Sequence, residues 1–314
     1  MKNKFFTREI CVCAHLTQTR YAQKACAEMR SIMIEILKAI LFGIVEGITE
    51  WLPISSTGHM ILLNEFVTLD VSEEFWSMFE VVIQLGAILA VVVLYWNKIF
   101  PFYLGEKAKE HHGYVRKNVF ILWFKILVAC IPAAIVGLLF DDVIDKYLYN
   151  PWVVAIMLIV FGVLFIVVEN YNKNKSPKIR RLKDLDYKTA FIIGMFQLIA
   201  AVFPGTSRSG ATIVGALLIG VSRTVAAEFT FFLAIPVMFG ASLLKIIKFG
   251  FHFTGMEAAI LLTGMVVAFL VSVFVIRFLM DYIKKHDFKV FGWYRIVLGI
   301  LVLLYFSVRM ITAG

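Results

Sequence analysis

The sequence predicts an all-α polytopic membrane protein with six transmembrane helices and two re-entrant helical hairpins, arranged as inverted-topology repeats. Of its 314 residues, 61% are apolar and only 17% are charged, whereas soluble domains average about 45–50% and about 25%. A soluble domain could not bury this much apolar surface. Apolar stretches also recur along the whole chain, which excludes a soluble enzyme with a single anchor helix.

Six segments are apolar enough to cross a bilayer as single helices, since a spanning helix needs about 20 mostly apolar residues. They lie at roughly 76–96, 119–140, 152–169, 225–247, 257–280 and 291–311. Two further apolar segments, 34–63 and 189–221, are interrupted by proline and glycine. We expect each to form two half-helices around a turn. Irregular backbone at membrane depth must be surrounded by protein or by a water-filled cavity, so each segment is expected to enter and leave on the same side as a re-entrant hairpin.

The net charge of +9 indicates membrane orientation rather than nucleic-acid binding, because 15 of the 31 basic residues fall in three loops. These loops, which the positive-inside rule assigns to the cytoplasm, are 97–118, 170–188 and 281–290. The alternating segments 64–75, 141–151 and 249–256 are acidic or uncharged. We therefore expect these segments to lie outside.

The two interrupted segments predict an internal repeat, because residues 43–57 align without a gap on residues 194–208. The alignment pairs Gly43 with Gly194, Glu46 with Gln197, Pro53 with Pro204, Ser55 with Thr206, and Ser56 with Ser207. Three spans per repeat is an odd number, so the second copy is expected to be inverted, as in transporters with broken helices.

These boundaries divide the chain into an extension and a membrane domain. Residues 1–30 are polar and basic and lack a long apolar core, so we expect an extension that is not part of the functional protein. The membrane domain is expected to cover residues 31–314, with repeat one at about 34–169 and repeat two at about 185–311.

The first hairpin carries ionisable groups at membrane depth, where such groups are costly and mark functional sites by default. Glu46 and Glu50 share a helix face at a spacing of four residues, and their repulsion requires a cation, a shared proton or an arginine. Carboxylate oxygens suit Mg²⁺ or Ca²⁺, so a divalent cation is the expected cofactor. The following hydroxyl and imidazole groups are those of Ser55, Ser56, Thr57 and His59. They can bind phosphate or act as nucleophile and base, or they can simply cap the second half-helix.

The second hairpin predicts an anion site around Arg208. Small neighbouring residues allow close approach of a ligand, a half-helix begins there, and a guanidinium suits phosphate. The hydroxyls that surround it belong to Ser207, Ser209 and Thr212. Arg208 could also neutralise Glu46 or Glu50, and the two roles are compatible.

Other polar residues lie within the spans. Glu80 and Gln84, four residues apart, either support the site or lie at the membrane interface. The remaining charges near span ends are expected to snorkel to the bilayer surface: Lys125, Glu228, Arg277 and Arg295.

The two motifs resemble those of the undecaprenyl-diphosphate phosphatase family, also called BacA or UppP, the bacitracin resistance proteins. The matching segments are EGITEWLPISSTGH at 46–59, FEVVIQLGA at 79–87 and PGTSRSGAT at 204–212, and the likeness covers about residues 34–311. The resemblance implies hydrolysis of undecaprenyl diphosphate to undecaprenyl phosphate and phosphate. It also implies a divalent-cation requirement, a site on the extracytoplasmic side of the bacterial inner membrane, and bacitracin resistance.

Residue roles follow from the resemblance by position. Glu46 and Glu50 would handle the metal or a proton, and Ser56 or His59 would be the nucleophile; Ser56 activated by His59 is favoured. Arg208 would hold the diphosphate together with the surrounding substrate-binding groups: Ser55, Thr57, Glu80, Gln84, Ser207, Ser209 and Thr212.

Two transport functions compete with hydrolysis. Inverted repeats with broken helices are typical of transporters, so the chain could instead flip undecaprenyl phosphate across the membrane. A weaker alternative is a proton-coupled small-anion transporter that uses Glu46 and Glu50. His59 beside the serines favours the enzyme, because a carrier needs no nucleophile. The expected partners are the lipid substrate and the bilayer, without nucleic acid, and a homodimer is one open oligomeric state.

Overall fold

The computed structural model describes residues 20–103 and 114–313, and this part of the chain is helical throughout. Its only strand-like features are two isolated β-bridges, one of which joins Phe102 to Val115. The expected extension falls mostly outside the described residues, and its last residues, from Arg20, form the start of the first helix.

The chain forms twelve α-helices within the described ranges. In order they are α1 (Arg20–Thr49), α2 (Ser56–Phe66), α3 (Glu73–Val82), α4 (Gln84–Leu94), α5 (Trp96–Ile99), α6 (Lys117–Leu148), α7 (Pro151–Asn172), α8 (Tyr187–Val202), α9 (Arg208–Leu218), α10 (Arg223–Phe249), α11 (Gly255–Lys285) and α12 (Lys289–Ala313). A single 3₁₀ turn at Leu182–Asp184 precedes α8.

Six helical stretches are long and apolar enough to cross a membrane, which confirms the six predicted spans. They are Glu73–Leu94, Lys117–Phe140, Pro151–Asn172, Arg223–Phe249, Gly255–Tyr282 and Lys289–Thr312. Their starts follow ordinary capping chemistry: Ser72 and Asn150 each accept a main-chain N–H bond, and Thr254 forms a capping box with Glu257. The first span bends at Ile83, where α3 ends and α4 begins.

Both interrupted segments break where the prolines predicted. Residues 50–55 separate α1 from α2, and residues 203–207 separate α8 from α9. Pro53 and Pro204 lie inside these turns, where the missing N–H and the fixed φ of proline prevent a continuous helix. Their placement as re-entrant hairpins within a bilayer stays a prediction.

The stretch from the proline to the capping serine is one residue longer in the second turn, from Pro204 to Ser207, than in the first, from Pro53 to Ser55, which corrects the gapless alignment. Ser55 (φ 76°) caps α2 and accepts a hydrogen bond from Gly58 N, whereas Ser207 (φ 68°) caps α9 and accepts one from Gly210 N. The equivalent of Ser55 is therefore Ser207 and not Thr206. The second turn accommodates its extra residue with Gly205, whose φ is +86°.

Helices from the first half of the chain pack mainly on helices from the second half. Helix α1 packs on α11 and α8 packs on α6, while α7 pairs with α12 and α10 with α3 and α4. Gly43 and Gly194 have matching roles, since a Cβ there would lie 2.7 Å from the Gly264 carbonyl oxygen and 2.3 Å from that of Ala129. This pattern is what a twofold repeat requires, and inversion across the membrane stays a prediction.

Candidate active site

A cavity of about 690 Å³ lies between the first interrupted segment and helices α3, α4, α6, α8 and α10. Its walls are mostly apolar, with contributions from Met60, Trp76 and Val237. The polar groups on its wall include four residues that the sequence selected: Glu46, Thr57, Glu80 and Gln84. The cavity thus joins an apolar volume to the predicted site.

A buried cluster at the two turns brings together residues 158 positions apart in the chain. Arg208 Nη2 donates to Glu50 Oε1 at 2.9 Å, and Ser56 Oγ donates to Glu50 Oε2 at 2.7 Å. Arg208 Nη1 also donates to the carbonyl oxygen of Thr230 at 3.0 Å. The predicted pairing of Arg208 with a hairpin carboxylate is present, and Glu50 is the partner.

This cluster lies beside the cavity wall rather than on it. Thr57 follows Ser56 in the chain, and Glu46 lies one helical turn before Glu50, so both link the cluster to the cavity. Arg208 Nε is buried without a hydrogen-bond partner among the described residues. Such an orphaned donor is expensive in an apolar interior, and it suits an anionic ligand.

Glu46 is fully buried, and neither of its carboxylate oxygens has a hydrogen-bond partner among the described residues. The Glu50 carboxyl lies within hydrogen-bonding reach of Glu46 once one of the two holds a proton, and Glu80 and Arg208 lie close enough to act on its charge. An ionised carboxylate without a partner in such a place is strongly unfavourable, so Glu46 requires a cation or a proton. The Gln197 amide, at the matching position of the second half, is likewise buried and without a partner.

The expected cation fits Glu46, whose oxygens have no hydrogen-bond partner among the described residues. Glu50 accepts one hydrogen bond at each oxygen and keeps lone pairs, so the predicted Glu46–Glu50 pair stays a prediction. The described residues contain no group of three acidic, histidine or cysteine side chains able to enclose a metal. Mg²⁺ commonly binds to one or two carboxylates and completes its shell with substrate phosphates and water. Glu46, with Glu80 on the same cavity wall, fits that mode.

His59 does not contact Ser56 in the way the sequence favoured. Its Nδ1 is 2.7 Å from the Ser55 carbonyl oxygen and its Nε2 is 2.7 Å from the Tyr294 hydroxyl. A carbonyl only accepts, so Nδ1 carries a hydrogen and Nε2 of the neutral ring accepts from Tyr294. His59 lines a separate, apolar cavity of about 430 Å³. Glu50 holds the position next to Ser56 that a general base needs.

The hydroxyls of the second turn mainly organise the start of α9. Ser207 Oγ accepts from Gly210 N and lies 3.1 Å from Ser209 Oγ, which in turn bonds the Glu50 carbonyl oxygen. Thr212 Oγ1 bonds the carbonyl oxygens of Arg208 and Ser209 and the hydroxyl of Thr230. Thr212, predicted to bind substrate, is fully buried and supports Arg208 instead.

The remaining predicted residues divide between the two motifs and the cavity wall. Ser55 is buried and serves as the cap of α2. Glu80 accepts a hydrogen bond from the Tyr149 hydroxyl at 2.9 Å, and both side chains line the cavity. Glu80 and Gln84 thus line the same cavity as Glu46, and their role in the site stays a prediction.

Sequence reasoning missed Arg295. It was expected to snorkel, but it is fully buried, and Lys125 is also buried beside the Tyr187 ring. Arg277 is exposed as expected, and Glu228 forms an ion pair with Lys98. Arg295 lies near the start of α12, where snorkelling is ordinary, so no local signal distinguishes it.

Comparison with known proteins identifies the family. The family model described as "Bacitracin resistance protein BacA" matches residues 39–301, which include both turns and the cavity. The chain belongs to the BacA family. The predicted resemblance is thereby confirmed, and BacA membership together with the six apolar helices makes this a multi-pass membrane protein.

Curated BacA relatives share most of their length with this chain. An "Undecaprenyl-diphosphatase" of Desulfitobacterium hafniense is 67% identical, over 89% of this chain and 99% of the relative. "Undecaprenyl-diphosphatase 1" of Clostridium acetobutylicum is 66% identical, over 88% and 98%. A relative of the same name from Enterococcus faecalis is 65% identical, over 86% and 97%. The shared name is that of an enzyme.

Proposed function

We infer that this chain is an integral membrane phosphatase that hydrolyses undecaprenyl diphosphate to undecaprenyl phosphate and phosphate. The observation that carries the inference is the Glu50–Arg208–Ser56 cluster, which joins a carboxylate, a guanidinium and a hydroxyl across the two turns. The names of the relatives support the same activity. They give no support to the flippase or to the small-anion transporter.

Arg208 and the start of α9 would hold the terminal phosphate. The buried Nε–H of Arg208 has no partner among the described residues, and a bound phosphate oxygen would satisfy it. The first main-chain N–H groups of a helix also favour an anion. Phosphoryl transfer depends mainly on stabilising the negative charge on the phosphoryl oxygens. Preorganised hydrogen-bond donors provide this stabilisation.

Ser56 would supply the nucleophile. Its hydroxyl passes a proton to Glu50 as its oxygen attacks the terminal phosphorus, and the bond from that phosphorus to the bridging oxygen breaks. The bridging oxygen leaves with the electron pair as part of undecaprenyl phosphate. Glu50 then passes that proton to the departing phosphate oxygen and is again a carboxylate. It takes a proton from the water that attacks the phosphoserine, and it returns this proton to the Ser56 oxygen as the bond from that oxygen to phosphorus breaks and free phosphate departs. Glu50 would need to release one of its present hydrogen bonds during these steps.

A divalent cation, Mg²⁺ or Ca²⁺, is part of the proposal. Glu46 would hold it at the cavity wall, with Glu80 as the second carboxylate within reach of the same cavity. When bound, the cation would neutralise the diphosphate. The two unpartnered oxygens of Glu46 support this role.

The apolar cavity supports a lipid substrate. Its wall carries Met60, Trp76, Leu138 and Val237, which suit an isoprenoid chain. Trp76 and Tyr149 lie beside the acidic segments 64–75 and 141–151, which are predicted to be outside. This arrangement supports a site that opens to the extracytoplasmic side of the bacterial inner membrane.

Phosphate release is the direct test. The purified chain in detergent, given a long-chain polyprenyl diphosphate and Mg²⁺ or Ca²⁺, should release phosphate. Reconstitution in liposomes, with a polyprenyl phosphate reporter, measures lipid scrambling in parallel. Scrambling without phosphate release would replace the enzyme by a flippase.

A further inference from the structure

Arg295 on α12 bonds to the main chain of both turns. Its Nη1 donates to the Pro53 carbonyl oxygen at 3.1 Å, and its Nη2 donates to those of Gly205 and Thr206 at 2.9 and 2.7 Å. Longer contacts reach carbonyl oxygens of α7 at Leu158 (3.4 Å) and Met157 (3.5 Å). One guanidinium thus joins the first turn, the second turn and α7.

This arrangement is unusual for a buried cation. The side chain is fully buried and forms no ion pair with any acidic side chain of the described residues. A buried charge without a counter-ion is costly, and here carbonyl dipoles compensate it, together with the Phe161 ring, whose centroid lies 5.8 Å from Arg295 Cζ. Snorkelling to the bilayer surface would avoid this desolvation cost. The hydrogen bonds to the two turns are the favourable interactions that offset it.

The bonded carbonyls lie next to two strained residues. Thr206 directly precedes Ser207 (φ 68°), and Pro53 lies two residues before Ser55 (φ 76°). A serine with positive φ occupies a sparsely populated conformation that persists only where the surroundings enforce it. Gly210 completes the fit, since a Cβ there would lie 2.9 Å from Arg295 Nη1.

We propose that Arg295 is a positioning residue that fixes the first turn relative to the second, and thereby holds Ser56 and Glu50 in register with Arg208. The proposal rests on the proposed function, because its catalytic consequence requires the phosphatase site. The guanidinium donates from three separate nitrogens in one plane, whereas a lysine ammonium has its three N–H groups on a single nitrogen and cannot reach the carbonyls of Pro53, of Gly205 and Thr206, and of α7 together. The fork, rather than the charge alone, is what the two turns need.

Hydrogen exchange measures the structural part of the proposal without reference to activity. In Arg295→Met and Arg295→Lys we expect amide exchange to accelerate at least about tenfold in both segments 50–60 and 203–212, because both turns lose their shared restraint. Arg277→Met, an exposed arginine on α11, should leave both segments unchanged. Faster exchange in only one turn, or in neither, would overturn the proposal.

Kinetics measure the catalytic part. Misplacement of the nucleophile should lower kcat at least about tenfold in both variants, with KM changed less than about threefold, since Arg208 itself remains. A kcat within about twofold of wild type in Arg295→Lys would show that charge suffices and would reject positioning by the fork. If Arg295→Met does not accumulate as folded protein, Arg295→Lys decides the question. Absence of phosphate release by the wild type would defeat the proposed function, and the exchange comparison would still test Arg295.

Discussion

Ser56 donates a hydrogen bond to Glu50, whereas His59, three residues later, lies against Tyr294. The sequence placed a serine, an acid and an imidazole close together, and His59 was the natural base. The positive φ of Ser55 turns the chain just before α2, and the imidazole then lies toward Tyr294 on α12. Serine seldom adopts this conformation, so no residue pattern indicated that Glu50 rather than His59 would be the partner of Ser56.

Glu50→Gln tests the assignment of the base. The variant keeps the shape of the cluster but removes the proton acceptor and the partner charge of Arg208. We expect phosphate release to fall about 100-fold or more, equivalent to about 2.7 kcal/mol of transition-state stabilisation. The measurement is kcat/KM for a polyprenyl diphosphate. Glu65→Gln, which removes an ion pair with Arg309, is the control; activity of Glu50→Gln within about threefold of wild type would place the site elsewhere.

Glu46→Gln tests the proposed cation position. The amide keeps one oxygen but loses the charge, so the Mg²⁺ or Ca²⁺ concentration for half-maximal activity should rise at least about tenfold. A metal titration of the phosphate-release rate measures this concentration. Glu228→Gln, at the ion pair with Lys98, should leave it unchanged. A lower rate with an unaltered metal dependence would assign Glu46 to proton handling instead.

At the scale of helices and turns, local chemistry predicted where elements begin and end. Pro53 and Pro204 marked the breaks only together with the glycine and hydroxyl residues that follow them, since Pro132 and Pro236 lie inside the continuous helices α6 and α10. Arg295 and Lys125 were misjudged because burial depends on which helix packs against them. The extra residue between Pro204 and Ser207 could not be predicted for a similar reason, because the shape of this turn depends on packing against α7. A Cβ on Gly205 would lie 2.5 Å from the Val154 carbonyl oxygen.

Gly86→Ala tests a close helix crossing. A Cβ at this position would lie 2.0 Å from the Met265 carbonyl oxygen, so α4 and α11 would have to separate. Overpacking of this kind costs about 1–3 kcal/mol, and the melting temperature in detergent should fall. Gly255→Ala meets open space at the start of α11 and should be neutral or slightly stabilising. Equal melting temperatures for the two variants would contradict the crossing.

The molecule as a whole divides its chemistry between two halves of the chain. Glu46, Glu50 and Ser56 come from the first half, and Arg208 comes from the second, with α12 beside both turns. The sequence predicted this division, because both motifs are continuous in the chain. It could not predict which surfaces of the halves meet, since that depends on helix contacts distant in sequence.

Orientation is a prediction about the whole molecule, and it can be measured in cells. In a variant with its native cysteines replaced, Glu74→Cys should react with a membrane-impermeant maleimide on intact bacteria. Lys183→Cys should react only after permeabilisation, because the positive-inside rule places its loop in the cytoplasm. Both positions are exposed, so accessibility within the protein does not limit labelling. The opposite pattern would reverse the proposed side of the site.

The split cluster also suggests how the protein could be inhibited. Since Glu50 and Arg208 meet only where the two halves touch, a compound need not imitate a diphosphate to block the chemistry. A rigid apolar molecule that wedges into the cavity of about 690 Å³ could push the halves apart. The acid and the guanidinium would then be intact but out of reach of each other.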